Sequence, residues 1–152
     1  MTVSDRLHAL GVSIPDPPPP LASYVPAVRT GNLVYTSGQL PTVSGALTAS
    51  GQVGLDLDED AAYDAARTAT LNALAAIASV ASLDDIVQVV HVTGYVASAD
   101  GFTDQPTVVN GASDLLLQLF GDAGKHSRAA VGVETLPLGA PVEIDMIVEV
   151  KP

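Results

Sequence analysis

Cysteine is absent from the 152-residue chain, which removes disulfides, thiolate metal ligands and a cysteine nucleophile from consideration. Tryptophan is absent too, and aromatics make up only 4% of a chain that is 47% hydrophobic. The expected core is therefore one of small aliphatic side chains packed closely. Cations are scarce: six Lys and Arg stand against 17 Asp and Glu, for a net charge of −11. Nucleic-acid binding draws most of its affinity from Lys and Arg on phosphates, so no nucleic-acid partner is expected. His8, His91 and His126 lie far apart and fit no metal-ligand spacing, so no metal is expected either.

No basic region followed by an apolar run marks the N-terminus, so no secretory signal is visible. The apolar stretch from Ala61 to Ala81 is interrupted by Asp64, Arg67 and Asn72. It reads as a buried helix rather than a membrane span, and the cytoplasm is the default location. The length suits a single domain with a real core, residues 1–152.

The chain opens with a short helix, about Thr2 to Leu10. Residues Ser13 to Ser23 follow, with Pro15 and the run Asp16-Pro-Pro-Pro-Pro20, expected as extended polyproline-like chain. Residues 1–23 thus form a helix and a proline-rich connector, either laid stiffly over the body or offered as a docking motif. Residues 24–150 form the core. Tyr24 to Arg29 and Leu33 to Thr36 are strand candidates around the turn signal Thr30-Gly31-Asn32. Gly45 to Gly54 is a loop or second hairpin. Tyr63, Arg67, Thr70, Leu74, Ile77 and Ala81 recur at helical spacing, with Asp56 and Glu59 as an expected capping pair.

Strands are expected at Ile86–Val96, Arg128–Glu134 and Val142–Val150, with a second long helix over Thr107–Phe120. Simple alternation in the first of these puts Val87, Val89, His91, Thr93 and Tyr95 on one face and Ile86, Gln88, Val90, Val92, Gly94 and Val96 on the other. The order predicts an α+β fold, with two main helices on one face of a sheet. The second face of the valine-rich strand has no segment left to cover it, which favours an oligomer that buries open sheet faces against one another.

Arg128 is the most informative residue. One of only six cations stands in Ser127-Arg-Ala-Ala-Val-Gly-Val-Glu-Thr-Leu-Pro137, a segment that otherwise reads as a buried strand. Alternation puts Arg128, Ala130, Gly132 and Glu134 on one face, so the guanidinium lies at the edge of a floor of small residues. It pairs there either with a structural acid or with a small carboxylate ligand. Glu143, in Pro141-Val-Glu-Ile-Asp145, shares a face with Asp145, Ile147 and Glu149, and by pattern alone is an ordinary solvated acid.

The run Tyr24-Val-Pro-Ala-Val-Arg-Thr-Gly-Asn-Leu-Val-Tyr-Thr-Ser-Gly-Gln-Leu-Pro41 resembles the first block of the Rid family (RidA, YjgF or L-PSP-like proteins). The segment 127–137, followed by Pro-Val-Glu-Ile at 141–144, resembles its C-terminal signature, and Val-Val-Asn-Gly-Ala-Ser at 108–113 its intervening helix. The likeness spans Tyr24 to Val150, and the N-terminal helix and proline run are like a longer branch of the family.

The resemblance implies a chorismate-mutase-like fold with a mixed β-sheet, and a homotrimer whose sheets form a central barrel with ligand clefts between subunits. It implies an enamine/imine deaminase, a hydrolase that turns small amino-acid-derived imines into a 2-keto acid and ammonia. Arg128 would anchor the substrate carboxylate, and Glu143 would handle water and protons. Tyr24, Ser37 and Asn110 fall at other pocket-lining positions, and backbone near Ala130 would steady the water. Ala130 stands where RidA itself often has a cysteine. His126 is a feature of the longer branch, placed either to hydrogen-bond a ligand or to cap a loop. Outside the resemblance, Tyr24 reads as a half-buried strand residue, Ser37 as a turn serine and Asn110 as a helix-face amide. No cofactor is needed, because an imine is already activated.

Two alternatives accompany this reading: a non-catalytic trimer that binds small carboxylates, and an endoribonuclease or translation inhibitor. A geometric condition follows as well. A simple hairpin of strands 128–134 and 142–150 would hold Arg128 and Glu143 about five residues, ~17 Å, apart. Either these strands are not neighbours, or the cleft combines two subunits.

Overall fold

A computed structural model describes residues 1–17, 19 and 22–152. Pro18, Pro20 and Leu21, part of the expected polyproline stretch, lie outside the described residues. Helix α1 (Val3–Ala9) starts at Thr2, whose side chain accepts from the Asp5 amide while the Asp5 carboxylate accepts from the Thr2 amide. This reciprocal cap satisfies two donors that a helix start leaves bare.

The strands β1 (Ala27–Thr30) and β2 (Leu33–Thr36) form a hairpin over Gly31-Asn32. Gly31 has φ 58° at the first loop position, where a tight hairpin of this twist calls for glycine. Tyr24 precedes the strand rather than lying in it and is exposed. A small separate hairpin, β3 (Thr42–Val43) and β4 (Ala46–Leu47), turns over Ser44-Gly45, earlier in the chain than the expected excursion at 45–54.

Helix α2 (Glu59–Ala78) buries a nearly continuous alanine face. Its N-cap is Asp58, which accepts from the Ala61 amide at 2.9 Å. The expected Asp56–Glu59 pair does not form, because Asp56 instead accepts from the Gln52 amide at 2.8 Å and closes the preceding loop. Strand β5 (Ile86–Ala97) leads into α3 (Gln105–Phe120), then β6 (Ser127–Val133) and β7 (Val142–Val150). Helices α2 and α3 lie side by side at a seam so close that a Cβ on Gly111 would meet the Tyr63 carbonyl.

The main sheet has the order β1-β2-β7-β5-β6 and is mixed: β5 and β6 run parallel, and every other pairing is antiparallel. The β5-α3-β6 unit explains this, since a helical crossover returns the chain to run parallel to the strand it left. Strands β6 and β7 are consecutive in the chain yet flank β5 on opposite sides. The simple hairpin between them therefore does not exist.

One face of the sheet carries Val34, Val89, Val92, Val96, Ile144, Met146 and Val148, all buried under α2 and α3. Two register shifts in β5, at Ile86/Gln88 and Val89/His91, break the expected alternation. They turn Val89 into the core beside Val92 and leave Val90 exposed. A bulge adds a residue to one strand of a pair, so the residues before it change sides. The other face of the sheet is uncovered in the single chain. Its apolar residues include Val28, Tyr35 and Val131, which are 40 to 53% exposed. The fold is thus a mixed α+β layer with three helices. Among the described residues no helix is long and apolar enough to cross a membrane.

Candidate active site: two half-sites on one chain

Arg128 lies on the edge strand β6, in register with Val92 and so on the helix-covered face. Its guanidinium is half-buried against α3 and meets only neutral acceptors. Nη1 donates to Asn110 Oδ1 at 2.8 Å and to Ser113 Oγ at 3.1 Å, and Nη2 donates to the Pro106 carbonyl at 3.2 Å. No carboxylate lies within 4.0 Å of it among the described residues; the ion pair that does form is the exposed Lys125–Asp122. A guanidinium has five N–H donors, and these three bonds leave the Nε edge for another acceptor.

Ala130 and Gly132 continue the same face of β6, opposite Gly94 and Val96 of β5, so the small-residue floor is real. Gln105, at the start of α3, closes its far end: a Cβ on Gly132 would stand 2.7 Å from Gln105 Nε2. His126 does not reach into this floor. Its ring is tied to Ser113 Oγ at 2.8 Å and to the Gly124 carbonyl at 2.6 Å.

Glu143 lies on the opposite face of the sheet, in register with Tyr95. Between Arg128 and Glu143 stand one intervening strand and a three-residue offset along it, which puts their backbones roughly 14 Å apart. Within one chain the two do not meet. Glu143 has a setting of its own. Its carboxylate covers Gly38, where a Cβ would stand 2.7 Å from Oε2, and Gln39 bridges to Ile144. Ser37 donates through Oγ to the Val25 carbonyl at 2.7 Å, which ties the segment after Tyr24 to the same corner.

Partial burial pushes the Glu143 pKa up, and the neighbouring Asp145 charge adds to the shift. Asp145 is in turn held by the Tyr95 hydroxyl, which donates to Oδ2 at 3.0 Å. Glu143 is thus an acid biased towards its protonated form, on a half-exposed surface beside a small-residue turn.

The structure therefore sorts the expected site residues into two groups. Arg128, Asn110, Ala130 and His126 gather between β6 and α3. Glu143 and Ser37, with the segment bearing Tyr24, gather where the end of β2 meets β7. Sequence reading missed Ser113, although its three-residue spacing from Asn110 puts both on one helix face. It also missed the part of Gly38, which meets Glu143 across strands, and of Asp145, which stands two residues from Glu143 on the same face of β7. Among the described residues no three or more His, Cys, Asp or Glu side chains gather as a metal site.

A mixed sheet backed by two long helices, with an arginine at its parallel edge, defines the class. Residues 4–150 match the family model described as "YjgF/chorismate mutase-like, putative endoribonuclease". Protein TCP17 of Trypanosoma cruzi is 41% identical over 153 aligned residues, 98% of this chain and 94% of that protein. A crystal structure described as a "putative endoribonuclease" from Shewanella oneidensis is 34% identical, with TM-score 0.95 over 99% of this chain and 100% of that one. The structure of E. coli TdcF with bound serine is 25% identical, with TM-score 0.64 over 89% of this chain and 93% of that one. The chain belongs to the YjgF (Rid) family.

Proposed function

We propose that the protein is an enamine/imine deaminase-like hydrolase acting on small amino-acid-derived imines, with each active cleft built between two copies in a homotrimer. The observation that carries this reading is Arg128: a half-buried cation whose hydrogen-bond partners are all neutral. Burying a charge without an opposite charge is costly, and a ligand carboxylate on the Nε edge would relieve that cost with parallel charge-assisted bonds.

The second half of the cleft is Glu143 with its Ser37–Gly38 corner, supplied by a neighbouring copy. Two facts support the assembly. Arg128 and Glu143 lie on opposite faces of one sheet, and that sheet's open face carries exposed Val28, Tyr35 and Val131. Three such faces turned inward would form a central barrel and bring edge strands against neighbouring corners.

The chemistry then balances simply. The substrate is a 2-imino acid, held by its carboxylate on Arg128. Glu143, whose pKa burial and the Asp145 charge raise, donates a proton to the imine nitrogen. One water attacks the electrophilic carbon and returns a proton to Glu143. The resulting aminoalcohol collapses to the 2-keto acid and ammonia. Positioning and proton transfer suffice because the substrate is already reactive. That TdcF holds serine is in keeping with a ligand of amino-acid size and charge.

The test couples the protein to an enzyme that releases imines and times keto-acid formation. Acceleration that is lost in Arg128→Ala supports the reading; full activity in that variant overturns it. Saturable carboxylate binding without turnover would support the non-catalytic binder instead. A second activity, RNA cleavage, is favoured by the names of relatives such as the Shewanella protein. The net charge of −11 with six cations weighs against an RNA-binding surface. RNA cleavage that copurifies with the trimer and disappears in Arg128→Ala would establish it.

A further inference from the structure

Ser113 and His126 stand behind Arg128, and the proposed reaction gives neither of them a task. Ser113 Oγ accepts from Arg128 Nη1 at 3.1 Å and lies 2.8 Å from His126 Nε2. His126 Nδ1 lies 2.6 Å from the Gly124 carbonyl oxygen. A carbonyl oxygen can only accept, so Nδ1 carries the proton and, in the neutral ring, Nε2 is an acceptor. The Ser113 hydroxyl proton then points to Nε2, and its lone pairs are left facing the guanidinium.

Each link thus fixes the direction of the next, from the Gly124 carbonyl through the imidazole and the hydroxyl to Arg128. The starting point is itself held in place. Gly124 is buried and backed so closely on the Leu116 carbonyl that a Cβ there would overlap it. Ser113 is buried as well, at 9% exposure.

We propose that His126 and Ser113 are positioning residues that set the plane of the Arg128 guanidinium, so that its Nε edge faces the ligand. The proposal rests on the reading of Arg128 as a carboxylate seat. A serine hydroxyl rotates freely unless its proton has an acceptor, and a proton turned towards Nη1 would set donor against donor. With His126 as acceptor, both Nη1 hydrogens have fixed partners, Asn110 Oδ1 and Ser113 Oγ, and Nη2 has the Pro106 carbonyl. A planar group held at three points cannot tilt, and two-point recognition of a carboxylate depends on that plane. His126 contributes to binding without touching the ligand.

The test measures 2-oxobutanoate affinity by calorimetry for the full chain and for Arg128→Ala, Ser113→Ala, His126→Ala and the Ser113→Ala/His126→Ala double variant. Nitrogen-15 spectra of the His126 ring accompany it. Ser113→Ala and His126→Ala are each expected to weaken binding about 5- to 10-fold, and the double variant no further, because linked residues fail to add. The wild-type ring is expected to carry its proton on Nδ1.

Unchanged affinity in both single variants, with binding lost in Arg128→Ala, overturns the positioning role and leaves the carboxylate seat standing. Fully additive losses also overturn it, because they indicate separate packing effects. Equal affinity in Arg128→Ala and wild type contradicts the seat instead. A proton on Nε2 in the wild type overturns the relay whatever the binding data show.

Discussion

Gly38→Ala separates the proposed chemistry from the fold. A Cβ at position 38 would stand 2.7 Å from Glu143 Oε2, 2.8 Å from Cδ and 3.1 Å from Cγ, whereas ordinary contact begins at 3.4 Å. The carboxylate must therefore retreat by about 0.7 Å (3.4 less 2.7). Misplacing a catalytic group by about 1 Å costs on the order of 100-fold in rate, so a fall in kcat of about 10- to 100-fold is expected. Stability should hardly move. The φ of Gly38 lies outside the left-handed region, so alanine fits the backbone there, and its stiffer unfolded chain contributes about 0.4–1 kcal/mol against the displaced side chain. The assay is keto-acid release from an imine-generating couple, with thermal melting in parallel. Glu143→Gln serves as the background control, in which Gly38→Ala should add little. Undiminished kcat in Gly38→Ala, or an equal further loss in the Glu143→Gln background, would refute the reasoning.

Three further outcomes follow from the same structure. Burial and the Asp145 charge raise the Glu143 pKa above its ordinary 4.5, so its stability contribution is full below the unfolded pKa and is lost as pH rises through the folded one. Glu143→Gln should therefore melt above wild type at pH 7, with the difference vanishing below about pH 4.5; a constant difference across pH contradicts the shift. Asp58→Ala should cost about 1 kcal/mol in denaturant unfolding through loss of the α2 cap, and an unmoved midpoint would refute that assignment. Gly111→Ala should cost about 1–3 kcal/mol by forcing α2 and α3 apart at Tyr63; a stability equal to wild type would show that the seam has slack.

Much of this was legible in the chain because local pattern dictates it. Tyr63, Arg67, Thr70, Leu74 and Ile77 at helical spacing announced α2, and Gly31-Asn32 announced the first hairpin. Alternation along β7 by itself divides Val142, Ile144 and Met146 from Glu143 and Asp145. The lone Arg128 among small residues marked the floor of Ala130 and Gly132 beside which it lies.

The failures share a physical cause. No glycine or proline marks the two register shifts in β5, so strict alternation misassigned Val89 and Val90. Asp56 and Asp58 are chemically equal as caps, and only the path of the 51–57 loop chooses between them. The separation of β6 from β7 was recoverable, since a strand, a helix and a strand favour a parallel pair, but consecutive strands also favour a hairpin. Ser113 gains its part only when α3 docks on β6, and Gly38 only when β2 runs past β7. Such contacts join residues far apart in sequence, and spacing shows only that Ser113 shares a helix face with Asn110.

The central claim, that Arg128 seats the carboxylate of a reacting imine, is tested most directly by a ratio. The measurement is kcat/KM for 2-iminopropanoate divided by kcat/KM for the corresponding carboxamide imine, in wild type and in Arg128→Ala. Two charge-assisted hydrogen bonds at about 1.5–3 kcal/mol each predict that wild type prefers the carboxylate by at least about 100-fold and that Arg128→Ala has almost no preference. A ratio that survives the substitution unchanged would contradict the account.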